Sequence, residues 1–206
     1  VGNSDFESEI QTYYSDKLSE FGPSSKGVDW NSVESQHARF QILLQHLKIE
    51  PYSTILDFGC GYGELFAYLW ERNSLLNYLG FDIVKTSIET AKKLHSNSQA
   101  NFVSTLPELN TWDYVVMSGV FNVKGEVNEV EWSEYVVSTI NSLLPRAGKG
   151  ISFNMLTAFN DTYLRKAHLY YVDPMELVSQ LDISPPFTVI LDHSYPMWEY
   201  TVTILK

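Results

Sequence analysis

The 206-residue sequence predicts an α/β domain built on a mostly parallel sheet, and three observations carry that expectation. An apolar run, Thr54-Ile55-Leu56-Asp57-Phe58, breaks into glycines at 59, 61 and 63, then resumes with helical spacing as Leu65-Phe66-Ala67-Tyr68-Leu69-Trp70. That pattern reads as strand, tight turn and helix. Further short apolar runs alternate with helix-like segments as far as residue 156, as successive βα units do. Two strand-like runs, 187–191 and 200–205, then follow one another with no helical segment between them. Two such terminal strands fit an antiparallel hairpin that closes the sheet. Together the runs make a doubly wound, seven-stranded sheet that is parallel except for a C-terminal hairpin.

Taken in order, residues 1 to about 30 are polar with interspersed aromatics. A first helix is expected over 6–18, with Ile10, Tyr13, Tyr14 and Leu18 at helical spacing, and 22–27 is a Gly/Pro/Ser loop. Ser32 is placed to cap a second helix over 33–47, whose apolar stripe is Phe40, Leu43, Leu44 and Leu47. After the glycine turn come a second strand over 78–83, a helix over 85–94, a third strand and its exit over 101–106, and a fourth strand from Trp112. A helix over 131–144 ends at Pro145 and Gly148, and a fifth strand covers 150–156. Residues 157–171 form a long aromatic loop. Asp173 and Pro174 then start a last helix, as N-cap and first residue.

Composition narrows the function. The net charge is −11 and the sequence pI near 4.8. Phosphate backbones need clustered Lys and Arg, and the densest pair is Lys92-Lys93, so nucleic acid is not expected as a partner. No apolar run reaches the roughly 18 residues of a membrane helix, and the polar, acidic N-terminal stretch does not read as a secretory signal. One cysteine, Cys60, excludes an internal disulfide and fits a reducing, cytoplasmic setting. No histidine pair has metal-ligand spacing, so no metal is expected, and no G-x-S-x-G elbow suggests a hydrolase. Thirteen Tyr and five Trp exceed what a core requires and suit an aromatic-lined pocket.

The glycine turn is where a ligand can approach the main chain. Two nucleotide cofactors compete for it. The dinucleotide fingerprint is G-x-G-x-x-G, whereas this chain reads G-x-G-x-G with Glu64 at the last fingerprint position. Asp57 stands two residues before the first glycine, unfavourable beside a pyrophosphate and acceptable beside a sulfonium and an ammonium. This asymmetry favours S-adenosylmethionine over NAD. Asp82, nineteen residues beyond Gly63, is placed to accept hydrogen bonds from ribose hydroxyls, and Ile83 to pack on adenine.

Asp57-Phe58-Gly59-Cys60-Gly61-Tyr62-Gly63 resembles motif I of the class I S-adenosylmethionine-dependent methyltransferases, and the likeness extends over residues 50 to 206. Trp112-Asp113-Tyr114-Val115-Val116-Met117-Ser118-Gly119 resembles motif IV of the same family. The resemblance implies a Rossmann-like methyltransferase domain over 49–206, preceded by a helical lid over 1–48 that carries Tyr13, Tyr14, Lys17, Trp30 and Arg39. It implies a cofactor site of Asp57, Gly59, Cys60, Gly61, Gly63, Asp82, Ile83, Ser118 and Gly119. Arg39 would pair with the cofactor carboxylate. Where the family commonly places an adenine-binding Asp, this chain has Leu106, so adenine contacts fall to Ser104, Thr105, Leu106 or the backbone. Tyr14, Trp30, Phe121, Asn122 and Tyr170 are the expected acceptor contacts. Asn160, Asp161, Tyr163, Arg165 and Tyr171 share the loop where substrate residues are expected. His168 in that loop is the first candidate for a general base, ahead of His193. The expected reaction is in-line methyl transfer to a small molecule, with S-adenosylhomocysteine as product. Methylation of protein or RNA, a non-catalytic cofactor-binding protein and a dinucleotide enzyme are the alternatives.

Overall fold

In a computed structural model, residues 5–72, 75–108 and 110–206 are described. Two helices, α1 (Asp5–Phe21) and α2 (Val33–Leu44), precede strand β1 (Thr54–Phe58). There follow α3 (Glu64–Trp70), β2 (Asn77–Phe81), α4 (Lys85–Leu94), β3 (Asn101–Val103), β4 (Trp112–Met117) and α5 (Glu129–Leu143). The chain closes with β5 (Ala147–Thr157), β6 (Tyr171–Val172), α6 (Pro174–Ser179), β7 (Thr188–Asp192) and β8 (Glu199–Leu205). The sheet runs β3-β2-β1-β4-β5-β8-β7, with β6 beside β5. All pairings are parallel except β5–β8 and β7–β8. The seven strands and the closing hairpin follow the sequence reading. The two-residue β6, inside the expected loop, makes an eighth.

Strand alternation divides the core. Ile55, Tyr114 and Val116 face one layer with Phe40 and Leu43 of α2, Leu65, Phe66 and Leu69 of α3 and Ile88 of α4. Leu56, Val115 and Met117 face the other with Trp132, Val136 and Ile140 of α5 and Leu177 of α6. Order reverses between β1 and β4, so helices leave to opposite faces there and a crevice opens at the strands' carboxyl ends.

The helix ends obey their caps. Ser32 and Ser35 exchange side-chain-to-backbone bonds at the start of α2, a capping box. Asp173 accepts from Met175 N at 2.8 Å. Asn128 Oδ1 accepts from Glu131 N at 2.9 Å, which starts α5 two residues before its expected position. The α2 helix ends at Leu44, not 47, although Leu47 stays buried. Helix α1 crosses the carboxyl edge of the sheet. Phe6 packs edge-on against Trp132 of α5 at 5.6 Å, and Ser15 Oγ lies 3.1 Å from Thr86 Oγ1 of α4.

Candidate active site

The crevice holds a cavity of about 930 Å³, counted out to its open mouth. Its floor is the end of β1 and the glycine turn, from Asp57 to Tyr62. Phe81, Asp82, Ile83 and Val84 bound it at the end of β2, and Ser118, Gly119 and Val120 at the end of β4. Ile10 and Tyr14 of α1, Val28, Trp30, and Gln36 and Phe40 of α2 cover it. Tyr135 of α5, Ser87 of α4 and Glu64 and Leu65 of α3 complete the wall.

The turn needs its glycines. Gly59, Gly61 and Gly63 have φ of +81°, +54° and +88°, a region costly for other residues. A Cβ on Gly59 would fall 2.5 Å from Val120 Cγ2. The third glycine works differently: a Cβ there would strike His95 of the segment after α4, at 2.8 Å, so Gly63 serves packing and is not in the cavity wall. Gly59 N and Cys60 N both donate to Phe81 O, at 2.7 and 3.0 Å, stitching the turn to the end of β2.

Two carboxylates meet there. Asp82 accepts from Gly61 N and Val84 N, each at 2.8 Å. Burial outweighs these two donors and pushes its pKa up to about 6. Asp57 accepts from the Tyr78 hydroxyl, yet burial, reinforced by the charge on Asp82, pushes it up to about 7. Glu64 is a third acid in the wall, which contains no Lys, Arg or His among the described residues. Two more polar atoms, Ser118 Oγ and Gln36 Oε1, are buried without a hydrogen-bond partner among the described residues. A pocket so supplied with acceptors suits a cationic, hydrogen-donating ligand.

Behind the wall a chain of contacts ties the N-terminal segment to the sheet. The Trp30 ring lies on Gly119, so close that a Cβ there would be 2.3 Å from Trp30 Cζ2. The Arg39 guanidinium stacks on the same ring, 4.1 Å from its centroid. Arg39 Nε donates to both oxygens of Glu199, at 2.9 and 2.8 Å. Asn154 Nδ2 donates to Glu199 at 2.8 Å, and Asn154 Oδ1 accepts from Gly119 N at 2.8 Å, closing the ring.

Of the residues expected from sequence, Asp57, Gly59, Cys60, Gly61, Asp82, Ile83, Ser118, Gly119, Tyr14 and Trp30 converge on the cavity. Others do not. Arg39 is committed to Glu199, whose carboxylate neutralises it out of the cavity's reach. Ser104 and Thr105 are exposed beyond β3, and Leu106 packs against the core. Phe121 is fully buried against α5, its carbonyl accepting from Trp132 Nε1 at 3.0 Å. Asn122 and Tyr170 are buried behind the wall, where Tyr170 N donates to Asn122 O at 2.9 Å. His168 also lies outside the wall, its carbonyl accepting from Lys124 N and Gly125 N. His193 bonds Thr157 Oγ1 at 2.9 Å, away from the cavity. Sequence reasoning missed Ile10, Val28, Gln36, Phe40, Phe58, Tyr62, Glu64, Leu65, Phe81, Val84, Ser87, Val120 and Tyr135. Ile10 and Phe40 lie in apolar stripes, which cannot distinguish core from cavity wall. Tyr62 and Glu64 sat within and beside the glycine turn, the one signal that could have found them.

A family described as "Methyltransferase domain" matches residues 56–143. A curated protein of Mycobacterium tuberculosis (strain ATCC 25618 / H37Rv), named "Putative methyltransferase Rv1506c", is 32% identical over 158 residues, covering 76% of this chain and 95% of that one. The chain is a class I S-adenosylmethionine-dependent methyltransferase. Solved structures agree in fold. The plantazolicin methyltransferase BpumL, in complex with a pentazolic desmethylPZN analog and SAH, superposes with a TM-score of 0.61 at 14% identity, covering 97% of each chain. The magnesium protoporphyrin IX methyltransferase ChlM from Synechocystis PCC 6803, with bound SAM, gives 0.53 at 13% identity, covering 100% of this chain and 86% of that one. The small RNA methyltransferase HEN1 gives 0.62 at 18% identity, but its match covers 82% of this chain and 25% of that one. The methyltransferase therefore takes S-adenosylmethionine as donor and releases S-adenosylhomocysteine. Its cavity fits that cofactor: a glycine turn with no room for side chains, an acid at the end of β2, and buried acceptors without partners. Among the described residues no helix is long and apolar enough to cross a membrane.

Proposed function

We propose that this methyltransferase transfers its methyl group to a small, uncharged or cationic acceptor. The observation that carries this reading is the wall itself: among the described residues, three carboxylates and no Lys, Arg or His surround a cavity roofed by α1, Trp30 and α2. Such a wall repels a phosphodiester chain. A cytosolic setting accords with the one buried, free cysteine.

Bound S-adenosylmethionine supplies the methyl carbon and the thioether leaving group for in-line displacement. The protein's residues bind, orient and exclude water. Asp82 accepts from the ribose hydroxyls, with its Gly61 and Val84 bonds fixing the carboxylate. Asp57 offers negative charge to the cationic half of the donor. Ile83, Val120 and Tyr135 give adenine apolar surface, in place of an acid from the exit of β3. Ser118 and Gly119 stand at the end of β4, where the acceptor meets the donor, and Trp30 closes over them. We propose that α1 and the loop through Trp30 are the part of the N-terminal segment that opens, because α2 is packed into the core. Alignment in such a closed site is worth roughly 7–11 kcal/mol.

The deciding experiment is a calorimetric titration with S-adenosylmethionine, S-adenosylhomocysteine and NADH, repeated on Asp82→Ala, followed by methyl-transfer assays on small amines, on RNA and on protein. Adenosyl binding that weakens at least tenfold in the variant, with transfer to small acceptors only, is the expected result. Transfer to RNA or protein alone would overturn the acceptor class. Preferential NADH binding would overturn the cofactor.

A further inference from the structure

Gly119 N donates to Asn154 Oδ1 at 2.8 Å, and Asn154 Nδ2 donates to Glu199 Oε2 at 2.8 Å. The second bond settles the first. A carboxylate only accepts, so the Asn154 amide turns its NH2 to Glu199 and its oxygen to Gly119. Glu199 is itself held by Arg39 Nε, which donates to both of its oxygens. All three side chains are buried, so water offers none of them a substitute partner.

The direction of the Gly119 N–H fixes the neighbouring carbonyl. The Ser118–Gly119 peptide is trans, and a trans peptide points its C=O opposite to its N–H. Strand β4 lies between β5 and β1. Asn154 belongs to β5, so the Gly119 N–H is on the β5 side. The Ser118 carbonyl is then turned to the β1 side, where the glycine turn and the cavity lie. Gly119, with φ of +69°, redirects the chain immediately afterwards, beneath the Trp30 ring.

Asn154 itself is not in the cavity wall. We propose that it is a positioning residue for methyl transfer: it holds the Ser118–Gly119 peptide so that the Ser118 carbonyl faces the point where the methyl carbon passes from donor to acceptor. This rests on the reading above that places the end of β4 at that point. The methyl group of a sulfonium carries positive charge, and an incoming nucleophile carries N–H or O–H, so a carbonyl oxygen suits both. A peptide anchored on its far side by a buried side chain needs no reorganisation as that charge moves. Trp30, stacked on Arg39 and lying on Gly119, belongs to the same ring of contacts. Closure of the indole and direction of the carbonyl are therefore set together.

The test needs no knowledge of the acceptor. It compares, by calorimetry, S-adenosylhomocysteine with sinefungin, in which an amine-bearing carbon replaces the sulfonium and its methyl, so that N–H donors stand at the methyl position. Wild type should bind sinefungin several-fold more tightly than S-adenosylhomocysteine. Asn154→Leu should weaken sinefungin roughly 10- to 100-fold, the range for a hydrogen bond to a charged group. It should leave S-adenosylhomocysteine within about threefold, which also shows that the variant is folded. Should Asn154→Leu bind neither ligand, Asn154→Ala, which adds no atoms, carries the same comparison. Equal weakening of both ligands in both variants would make Asn154 merely structural. No change in either ligand would show that the peptide keeps its direction without Asn154. Each of these overturns the inference while the placing of the transfer point stands. A wild-type protein that binds the two ligands alike overturns that placing, and one that binds neither overturns the cofactor reading itself.

Discussion

Arg39 and Glu199, 160 positions apart in the chain, form a buried ion pair whose side chains are 6% and 3% exposed. The pair joins α2 to the start of β8. It also determines what Arg39 can do: its guanidinium donates to Glu199 and to Ser35 O, and it does not line the cavity. Removing either partner strands the other without solvent. Glu199→Ala should destabilise the protein by about 3–5 kcal/mol, read as a lower urea midpoint at constant slope. Replacing both residues with methionine should recover most of that loss. An additive double mutant would show that the pair is not the relevant unit.

Gly119 and Gly125 supply a matched comparison. Their φ values are +69° and +59°, so an alanine at either is strained by about 1–2 kcal/mol. A Cβ at Gly125 meets nothing within 4 Å, whereas one at Gly119 collides with Trp30. Gly119→Ala should shift tryptophan fluorescence and weaken cofactor binding, and Gly125→Ala should only lower stability. Trp30→Phe should partly relieve the Gly119→Ala defect.

The acid pair predicts a pH dependence. Asp57 and Asp82 hold their protons up to about 7 and 6 in the folded protein, against 3.8 ordinarily. The folded state therefore binds these protons more tightly than the unfolded chain does. Their contribution to stability is fully present below about pH 4 and is lost as pH rises through 6 and 7. Binding of a cationic cofactor runs the other way, strengthening over the same window and releasing protons. Urea titrations from pH 4 to 8 without cofactor, and calorimetry in two buffers of different ionisation heat, check both signs. Asp57→Asn should flatten both profiles.

Cys60 is buried in the glycine turn, its Sγ 3.6 Å from Gly61 O, and burial beside Asp57 and Asp82 pushes its thiol pKa well up. It should react with a thiol reagent slowly in the native protein and rapidly once unfolded. Added S-adenosylhomocysteine should slow the native reaction further. Fast native labelling would mean that the turn opens on its own.

How far the sequence revealed this site depended on where each signal lay. The strand, glycine turn and helix at residues 54–70 are local, and so were the floor residues they carry. Asp82 was legible from spacing alone. Arg39 was not: its partner is 160 residues away, and nothing near it announces that its charge is already answered. Phe121 and Asn122 follow the end of β4 and Tyr170 precedes β6, and periodicity does not resolve whether such positions turn their side chains inward or outward. Gln36 was invisible for the opposite reason. A glutamine in a helix normally faces water, and only the packing of α2 against the glycine turn turns it inside.

Helix α1 reaches from Trp132 of α5 to Thr86 of α4 across the mouth of the crevice. On the proposal that this helix lifts to admit the donor, exchange is no faster than that motion. Each catalytic cycle spends one donor and must discharge one thioether by the same route. For a reactive acceptor, the ceiling on turnover is then set by the opening of α1 rather than by the chemistry it encloses.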